Sequence, residues 1–390
     1  MDAEGAVTQI TRITESPSDL QWSPDGRSIA FRMLVRTKEN WNVSLPRAPE
    51  GAKWVAPPTV IERLDYRQDR AGFTDQGYAQ LFVVSADGGT PRRLTDGPYA
   101  TGSAHWTPDG RSLVFSSLRD PDADYAWRES EIYAVNVATG TITQLTRRKG
   151  PDGNPLPSLD GRSIAYIGYD STDATWKDSH LYQMNADGSN PGVLMPGLDR
   201  SPQNLHWAPD NSGVYFTVDD AGSRNLHFVT VGGQVRQVTT GTHVLTVTDI
   251  GAGGDAVGVR TAPHQPNDVV SLNLRQPGQP AQLTRVNEDI LTGKTLGAVE
   301  ELWYTSVDGF RIQGWIIKPP DFDPRRKYPL MLSIHGSPHA MYSVAFNFGW
   351  QEHAANGYVV LYTNPRAARA TAARSATRSR TRIRARTSTN

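Results

Sequence analysis

A ten-residue phrase that recurs along the chain most strongly constrains its fold. Residues 22–31 read WSPDGRSIAF and residues 106–115 read WTPDGRSLVF, with looser copies at residues 157–166 and 207–216. The middle of each copy is typical of a turn, because Pro presets φ near about −65°, Asp can bond the backbone two residues on, and Gly accepts a positive φ. An alternating apolar run follows. Each copy therefore predicts a turn that leads into a β-strand.

A second phrase follows each copy and predicts a hairpin that closes on a small polar turn. Its closing positions, residues 95, 146, 194, 239 and 284, are spaced by 51, 48, 45 and 45 residues. This is the length of one four-stranded propeller blade. The repeats, which are TolB-like and WD40-like, predict an all-β propeller of about seven blades over residues 1–285. Because radial repetition needs identical turns to pack, we assign the repeats no chemistry.

The first blade departs from this spacing. The step from Thr11 to Thr95 is 84 residues, enough for two blades or for one blade with a large insertion. Residues 38–77, rich in Trp, Pro and charge, are either that insertion or a degenerate blade. Residues 1–11 align with the middle of a hairpin, so we expect the first blade to be incomplete.

Composition excludes several classes of function. The formal net charge is zero, but eight Arg and no acid lie in residues 366–390, so residues 1–365 are acidic. This balance favours neither nucleic acid nor an anionic membrane as a partner. Cysteine is absent, which excludes disulfides and thiol catalysis.

Targeting signals are also absent from the sequence as written. Residues 1–5 lack a basic and apolar leader, and no stretch approaches the roughly 20 apolar residues of a membrane span. We therefore expect a cytoplasmic chain, while a periplasmic or secreted parent stays open if further residues precede Met1. The sequence leaves the oligomeric state open.

A second domain is predicted over residues 286–365. Residues 300–317 predict a hairpin about Asp308 and Gly309, and residues 328–334 (YPLMLSI) predict a strand buried on both faces. Residues 346–356 predict a short helix, and residues 358–362 the next buried strand. Strand, helix and strand are the unit that opens an α/β sheet.

A glycine-containing loop, residues 335–339 (HGSPH), lies between those two strands. Such a loop can point backbone N–H groups at a developing oxyanion, so Gly336 and Ser337 are oxyanion-loop candidates. His335 and His339 could suggest a metal site. However, no helix places them on one face and no carboxylate lies between them. We therefore expect neither a metal nor a cofactor.

These features together resemble the prolyl oligopeptidase family of serine peptidases, in particular its acylaminoacyl-peptidase and dipeptidyl-peptidase-like branch. The resemblance is carried by the Asp-Gly propeller repeats, residues 308–319, the HGSPH loop and residues 357–366 (GYVVLYTNPR). It implies a propeller that caps an α/β-hydrolase domain, and a short peptide as the substrate of the full-length parent. The family loop is usually His-Gly-Gly-Pro, so Ser337 stands at a glycine position.

The resemblance also implies a nucleophilic serine in a Gly-x-Ser-x-Gly elbow, activated by a histidine that an aspartate orients. No serine after His335 has glycine at both −2 and +2, so Ser337 is not the nucleophile and the catalytic triad is absent. Without a positioned base a serine hydroxyl is a poor nucleophile. We therefore expect a truncated, inactive peptidase.

Two other readings compete with this one. The chain could be a TolB-like propeller that serves as an interaction module, with residues 287 onwards as an appendage. The hydrolase-like stretch at residues 302–365 argues against that reading. Alternatively, the Arg-rich tail could bind nucleic acid or act as a targeting segment, but transit peptides of that composition occur at the N-terminus.

We predict that residues 367–390 are the product of a one-nucleotide deletion, which leaves a frameshifted and disordered tail. Family members continue with a Gly-Ser-Thr-Gly-Tyr-Gly run, which can be written GGC AGC ACG GGC TAC GGC. Loss of one G then yields Ala-Ala-Arg-Ala-Thr, as at residues 367–371. Sequencing the gene tests this: the shifted frame should restore glycines, aromatics and acids, whereas an early stop codon would refute the deletion.

Overall fold

The computed structural model of the chain divides into two compact units. The first unit is Met1–Pro157 with Ala186–Ser189, and the second is Ser158–Asn185 with Asn190–Asn390. The structure describes residues 5, 7–37, 46, 48–55, 61, 63–70, 72–74, 77–172, 177–307, 309–336 and 339–365. The predicted tail, residues 366–390, lies outside the described residues.

The first unit consists mainly of two four-stranded antiparallel sheets. The first sheet has the order β1-β2-β5-β6, and the second has the order β10-β9-β8-β7. The strands are β1 (Ser18–Trp22), β2 (Ser28–Arg36), β3 (Arg67–Gln68), β4 (Gly72–Phe73), β5 (Gly77–Ser85), β6 (Arg92–Arg93), β7 (Thr101–Trp106), β8 (Ser112–Ser117), β9 (Glu131–Asn136), β10 (Ile142–Gln144) and β11 (Asp152–Pro157). Buried Leu81, Val83, Leu113 and Phe115 pack together between the two sheets.

Strand pairing decides between the two readings of residues 38–77. Strand β2 pairs directly with β5, from Ser28 opposite Ser85 to Arg36 opposite Gly77. The intervening segment is therefore an insertion between neighbouring strands of one sheet. Its described part contains the short antiparallel pair β3 and β4.

The predicted turns are confirmed at atomic level. Asp25 Oδ1 accepts hydrogen bonds from Ser23 Oγ at 2.6 Å and from the backbone N–H of Arg27 at 3.1 Å, and Gly26 has φ of 68°. These bonds, the Ser23 one foremost, lower the pKa of the Asp25 carboxyl. The same arrangement recurs at Asp109 and Asp160. Each Asp thus fixes the turn that begins its strand.

A threonine that is buried in three cases and half-buried in the fourth, Thr284, closes four of the hairpins in the same way, through what we call the threonine clasp. Thr95 Oγ1 accepts the N–H of Leu81 at 2.9 Å and donates to Gln80 Oε1 at 2.7 Å. The other clasps are Thr146 with Ile132 and Glu131, Thr239 with Leu226 and Asn225, and Thr284 with Val269 and Asp268. The remaining hairpin, whose predicted closing position is residue 194, carries Met195 where the other four carry the threonine. The clasp ties the closing end of a hairpin to the strand before it.

The second unit begins with further antiparallel strands of the same kind. Strand pairing runs β12-β13-β14, then β15-β16-β17-β18, then β19-β20-β21-β22, with one parallel bridge from Arg224 on β17 to Val244 on β19. These strands are β12 (Ser163–Gly168), β13 (His180–Asn185), β14 (Gly192–Val193), β15 (Pro202–Trp207), β16 (Gly213–Asp220), β17 (Ser223–Thr230), β18 (Val235–Gln237), β19 (Val244–Ile250), β20 (Asp255–Ala262), β21 (Gln265–Asn273) and β22 (Ala281–Gln282).

A mixed sheet with one packed helix ends the second unit. Its order is β23-β24-β26-β25, in which β25 and β26 are parallel and the other pairs antiparallel. The elements are α1 (Glu288–Leu291), β23 (Val299–Thr305), β24 (Arg311–Ile317), β25 (Leu330–Ser333), α2 (Phe348–Ala355) and β26 (Val359–Asn364). The predicted hairpin and the strand-helix-strand unit are confirmed. Among the described helices, none is long and apolar enough to cross a membrane.

One prediction about this sheet is wrong. The pattern of residues 328–334 predicts a strand buried on both faces, but Leu330, Leu332 and Ile334 are 60%, 52% and 77% exposed. Strand β25 lies at the edge of the sheet, and within the described residues nothing covers the face that carries these side chains. A run of apolar residues shows that a strand can be buried on both faces. Whether it is buried depends on the elements packed against it.

Tight contacts inside the second unit attach this sheet to the β16–β17 hairpin. A Cβ at Gly222, which has φ of 78°, would lie 2.4 Å from the Trp315 ring, so only glycine allows the approach. Gly222 O also accepts the N–H of Val344 at 2.9 Å. Gln313 Nε2 donates to Ala221 O at 2.9 Å. The hairpin tip therefore positions both β24 and the segment that follows residue 339.

Replacing Glu131 by Gln should raise stability at high pH. Burial raises the pKa of the Glu131 carboxyl from 4.5 to about 7, so its contribution is complete below about pH 4.5 and is lost as pH rises through about 7. Gln stays neutral and can accept from Thr146 as Gln80 accepts from Thr95. After allowing for solvent screening, we expect a gain of about 1 kcal/mol near pH 8 and little change near pH 4.5.

Urea unfolding of the unmodified protein and of Glu131→Gln at pH 8 and pH 4.5 measures this change in stability. Glu50→Gln, at an exposed position, is the matched control and should show no difference between the two pH values. If Glu131→Gln changes stability equally at both, the ionisation of Glu131 is not the cause.

Candidate active-site loop

The HGSPH loop leaves the sheet at the carboxyl end of β25. Because β25 and β26 are parallel, their carboxyl ends lie side by side, the usual position of ligand sites in such sheets. Gly336 is exposed, and its N–H donates to no described residue. Ser337 lies outside the described residues. Of the two oxyanion-loop candidates, the structure thus places Gly336 at this edge with an available donor.

His335 is held against an aromatic ring. Its imidazole meets the Tyr342 ring edge-on, with ring centroids 4.8 Å apart. Nδ1 lies 3.3 Å from Gly336 O, while Nε2 is buried without a hydrogen-bond partner among the described residues. The side chain therefore packs into the loop, and its orientation fixes the direction in which the chain enters Gly336.

A buried asparagine anchors the far side of the loop. Asn364 Oδ1 accepts the N–H of Tyr342 at 2.7 Å, and Asn364 Nδ2 donates to Tyr342 O at 3.0 Å. Asn364 is 1% exposed, so its amide substitutes for a strand neighbour in satisfying both backbone groups. Sequence reasoning missed this pair. The signal that could have revealed the pair is the amide side chain of Asn364 at the end of an otherwise apolar strand.

An aromatic cluster supports the loop from below. Trp350 of α2 stacks on Tyr362 of β26 with centroids 4.1 Å apart, and Trp315 of β24 stacks on the same ring at 5.3 Å. Tyr342 meets Tyr362 edge-on at 5.6 Å. Such pairs contribute about 0.5–1.5 kcal/mol each beyond their burial. Burial also raises the pKa of Tyr362, which keeps its hydroxyl neutral.

A small polar cavity of about 180 Å³ lies beside the segment that follows the loop. It is lined by Asp219, Arg224, Val244, Ala340, Met341 and Ser343. The guanidinium of Arg224 is already neutralised, because its Nε lies 2.7 Å from Asp219 Oδ1. The donor that the described part of the loop offers is the backbone N–H of Gly336. No Gly-x-Ser-x-Gly elbow stands beside it in the sequence.

Comparison with known proteins assigns both parts of the fold. Residues 71–237 match the TolB beta propeller domain family, PD40. Over 96% of the chain, the fold is similar to the Pyrococcus horikoshii acylaminoacyl peptidase, with a TM-score of 0.75 and 20% sequence identity. That alignment covers 55% of the archaeal protein. The likeness extends through the propeller sheets and the sheet that carries the loop.

Curated relatives are peptidases by name. The chain is 28% identical over 380 residues to the uncharacterized peptidase YuxL of Bacillus subtilis (strain 168), covering 93% of this chain and 56% of that protein. It is 29% identical over 265 residues to dipeptidyl-peptidase 5 of Porphyromonas gingivalis, covering 66% and 38%. The chain thus spans about half the length of the first relative and less of the second.

Replacing Asn364 by Ala should loosen the loop. The change leaves the half-buried N–H and C=O of Tyr342 without these partners, which should cost about 2–3 kcal/mol. We expect the Tyr342 amide to exchange with solvent at least tenfold faster, measured by hydrogen exchange. Asn356→Ala, which removes a single exposed bond to Glu352 O, is the control. Unchanged protection of Tyr342 in Asn364→Ala would contradict the anchoring role.

Proposed function

This chain belongs to the prolyl oligopeptidase family of serine peptidases, and from this premise we propose that its parent enzyme hydrolyses short peptides. The activity proposed is that of an acylaminoacyl- or dipeptidyl-peptidase. The observation that carries the proposal is the 28% identity with a peptidase over 93% of this chain. The fold likeness to an acylaminoacyl peptidase over nearly the whole chain supports it.

Within this proposal, residues 1–285 are a propeller of about seven blades and residues 286–365 are the opening part of an α/β-hydrolase domain. The repeat spacing supports the first assignment. The parallel pair β25 and β26 with helix α2 between them in sequence supports the second. The proposal assigns residues 366–390 to neither domain.

The role proposed for the HGSPH loop is oxyanion stabilisation. The backbone N–H groups of Gly336 and Ser337 would donate to the oxygen that becomes negative when the peptide carbonyl is attacked. The unused N–H of Gly336 at the carboxyl edge of the sheet supports this role. Asn364 and Tyr342 would act as positioning residues, since they hold the loop without reaching the reacting atoms.

Hydrolysis also needs a nucleophile and a base, and the chain as given supplies neither in a recognisable motif. An oxyanion donor alone stabilises a charge that no group is placed to generate. We therefore propose that this chain is inactive by itself. The peptide substrate belongs to the parent, with no nucleic acid or membrane as partner, and a cytoplasmic location remains part of the proposal.

A second candidate function is a propeller that binds other proteins. The match of residues 71–237 to the TolB beta propeller domain favours it. The sheet β23–β26 with its helix favours the peptidase hypothesis, because a propeller that only binds proteins does not require a parallel strand pair that carries a glycine loop. Hydrolysis by the complete parent would decide between the two.

The purified chain should neither hydrolyse acyl-peptide or aminoacyl chromogenic substrates nor react with a fluorophosphonate probe. The physical reason is the missing elbow serine and its base. A gene in which the reading frame after Arg366 is restored should encode a product that does both. Labelling is read by gel fluorescence and intact mass.

Two outcomes would count against the proposal. Stoichiometric fluorophosphonate labelling of the chain as given would show that it holds an activated serine. A folded product of the restored gene that remains unlabelled and hydrolyses none of these substrates would remove the peptidase assignment and favour the interaction module.

A further inference from the structure

Arg119 of the first unit carries a charge that no described residue neutralises. It follows β8 by two residues, and its guanidinium carbon lies 5.3 Å from the ring centroids of Tyr99 and Tyr133 and 5.9 Å from that of Phe115. The residue is partly buried. Its Nε and Nη2 are buried without hydrogen-bond partners among the described residues. Three aromatic rings therefore surround a cation for which the described part of the chain supplies no acceptor.

Several other partly buried arginines are matched with carboxylates. A side-chain nitrogen lies 2.6 Å from Asp152 Oδ1 in Arg148, 2.7 Å from Asp220 Oδ1 in Arg200, and 2.7 Å from Asp219 Oδ1 in Arg224. Their side chains are exposed to similar small extents. Arg260, which has no carboxylate partner among the described residues, still donates to Gln265 Oε1 at 3.0 Å, whereas Arg119 Nε and Nη2 have no acceptor among them.

The sequence repeat shows which residue of another repeat is equivalent to Arg119. Arg119 stands four residues after Phe115, the last residue of the phrase at 106–115. Asp220 stands four residues after Phe216 in the phrase at 207–216, and it forms the ion pair with Arg200. At the equivalent position, one repeat thus has an aspartate that forms an ion pair, whereas the other has an arginine without a carboxylate partner among the described residues.

The carboxylates of Glu131 and Asp152 already have partners. Glu131 Oε2 accepts from Thr146 in its clasp, and Asp152 is paired with Arg148. Burial lowers the pKa of Arg119, so desolvation acts against its charge. Cation–π contacts offset part of that cost, but they do not occupy the hydrogen-bond donors. Among the described residues, none supplies a counter-ion to Arg119.

We propose that Arg119 is a ligand-binding residue that recognises the carboxylate of a peptide. A guanidinium donates to a carboxylate through two parallel hydrogen bonds, and the flanking rings suit the apolar part of a peptide. Phosphate groups are usually held by several cations or by a helix N-terminus, and neither accompanies Arg119 in the described residues. The choice of a peptide as the ligand rests on the proposed function.

Isothermal titration calorimetry with acetyl-tetra-alanine and its C-terminal amide tests the proposal on the full chain. We expect the acid to bind at least fivefold more tightly than the amide. Arg119→Met keeps the length of the side chain and should abolish that difference. Arg236→Met is the matched control, because Arg236 lies 5.0 Å from the Phe228 ring but is exposed. The control should keep the preference for the acid.

Further arms identify the source of the carboxylate. An amide-terminated acetyl-Ala-Glu-Ala-Ala that binds as tightly as the acid, and loses this on Arg119→Met, assigns the site to an acidic side chain as well as to a chain end. Inorganic phosphate that competes as well as the acid would overturn the carboxylate assignment. Equal binding of acid and amide, or a preference that persists in Arg119→Met, would overturn the proposal.

Folding of the variants is checked by thermal unfolding. If Arg119→Met does not fold, Arg119→Lys keeps the charge without the planar fork and should reduce the preference for the acid at least twofold. An unchanged preference in that variant would overturn the proposal. Because the readout is binding, absence of hydrolysis would count only against the peptidase activity and leave this inference in place.

Discussion

The threonine clasp is the interaction on which the propeller-like sheets depend. In each clasp one threonine hydroxyl both accepts a backbone N–H of a strand and donates to the side chain of the residue before it, as Thr95 does with Leu81 and Gln80. Leaving that N–H unpaired in the interior would cost about 1–3 kcal/mol. Since both partners sit at set distances along the chain, the clasp also fixes hairpin length. The closing threonines are regularly spaced along the sequence because each of them has to form this hydrogen bond.

The clasp tolerates several acceptors, and their differences determine how the sheets respond to pH. Gln80 and Asn225 are neutral, whereas Glu131 and Asp268 carry carboxyl groups. A neutral amide accepts from the threonine at any pH. The half-buried carboxyl of Glu131 does so at the cost of desolvation when it ionises. Identical geometry therefore produces sheets with different electrostatic properties.

Local patterns predicted the turns and hairpins well, because these depend on residues close together in the chain. The Asp25 turn and the β23–β24 hairpin are examples. Contacts between distant residues were not predicted. Asn364 reaches Tyr342 across 22 residues, and Trp315 packs on Gly222 across a longer separation, and neither partner carries a local signal for the other. The exposed face of β25 was missed for the same reason, since burial depends on neighbours.

The candidate loop is consequently supported unequally on its two sides. Asn364 and the aromatic cluster hold the Tyr342 side through buried contacts, whereas the His335 side continues from β25, whose outer edge and apolar face are open in the described residues. An oxyanion donor must be held to within about 0.5 Å to be effective. A strand paired with β25 would order the chain that enters Gly336. The geometry of the donor thus depends on that edge as much as on the glycine itself.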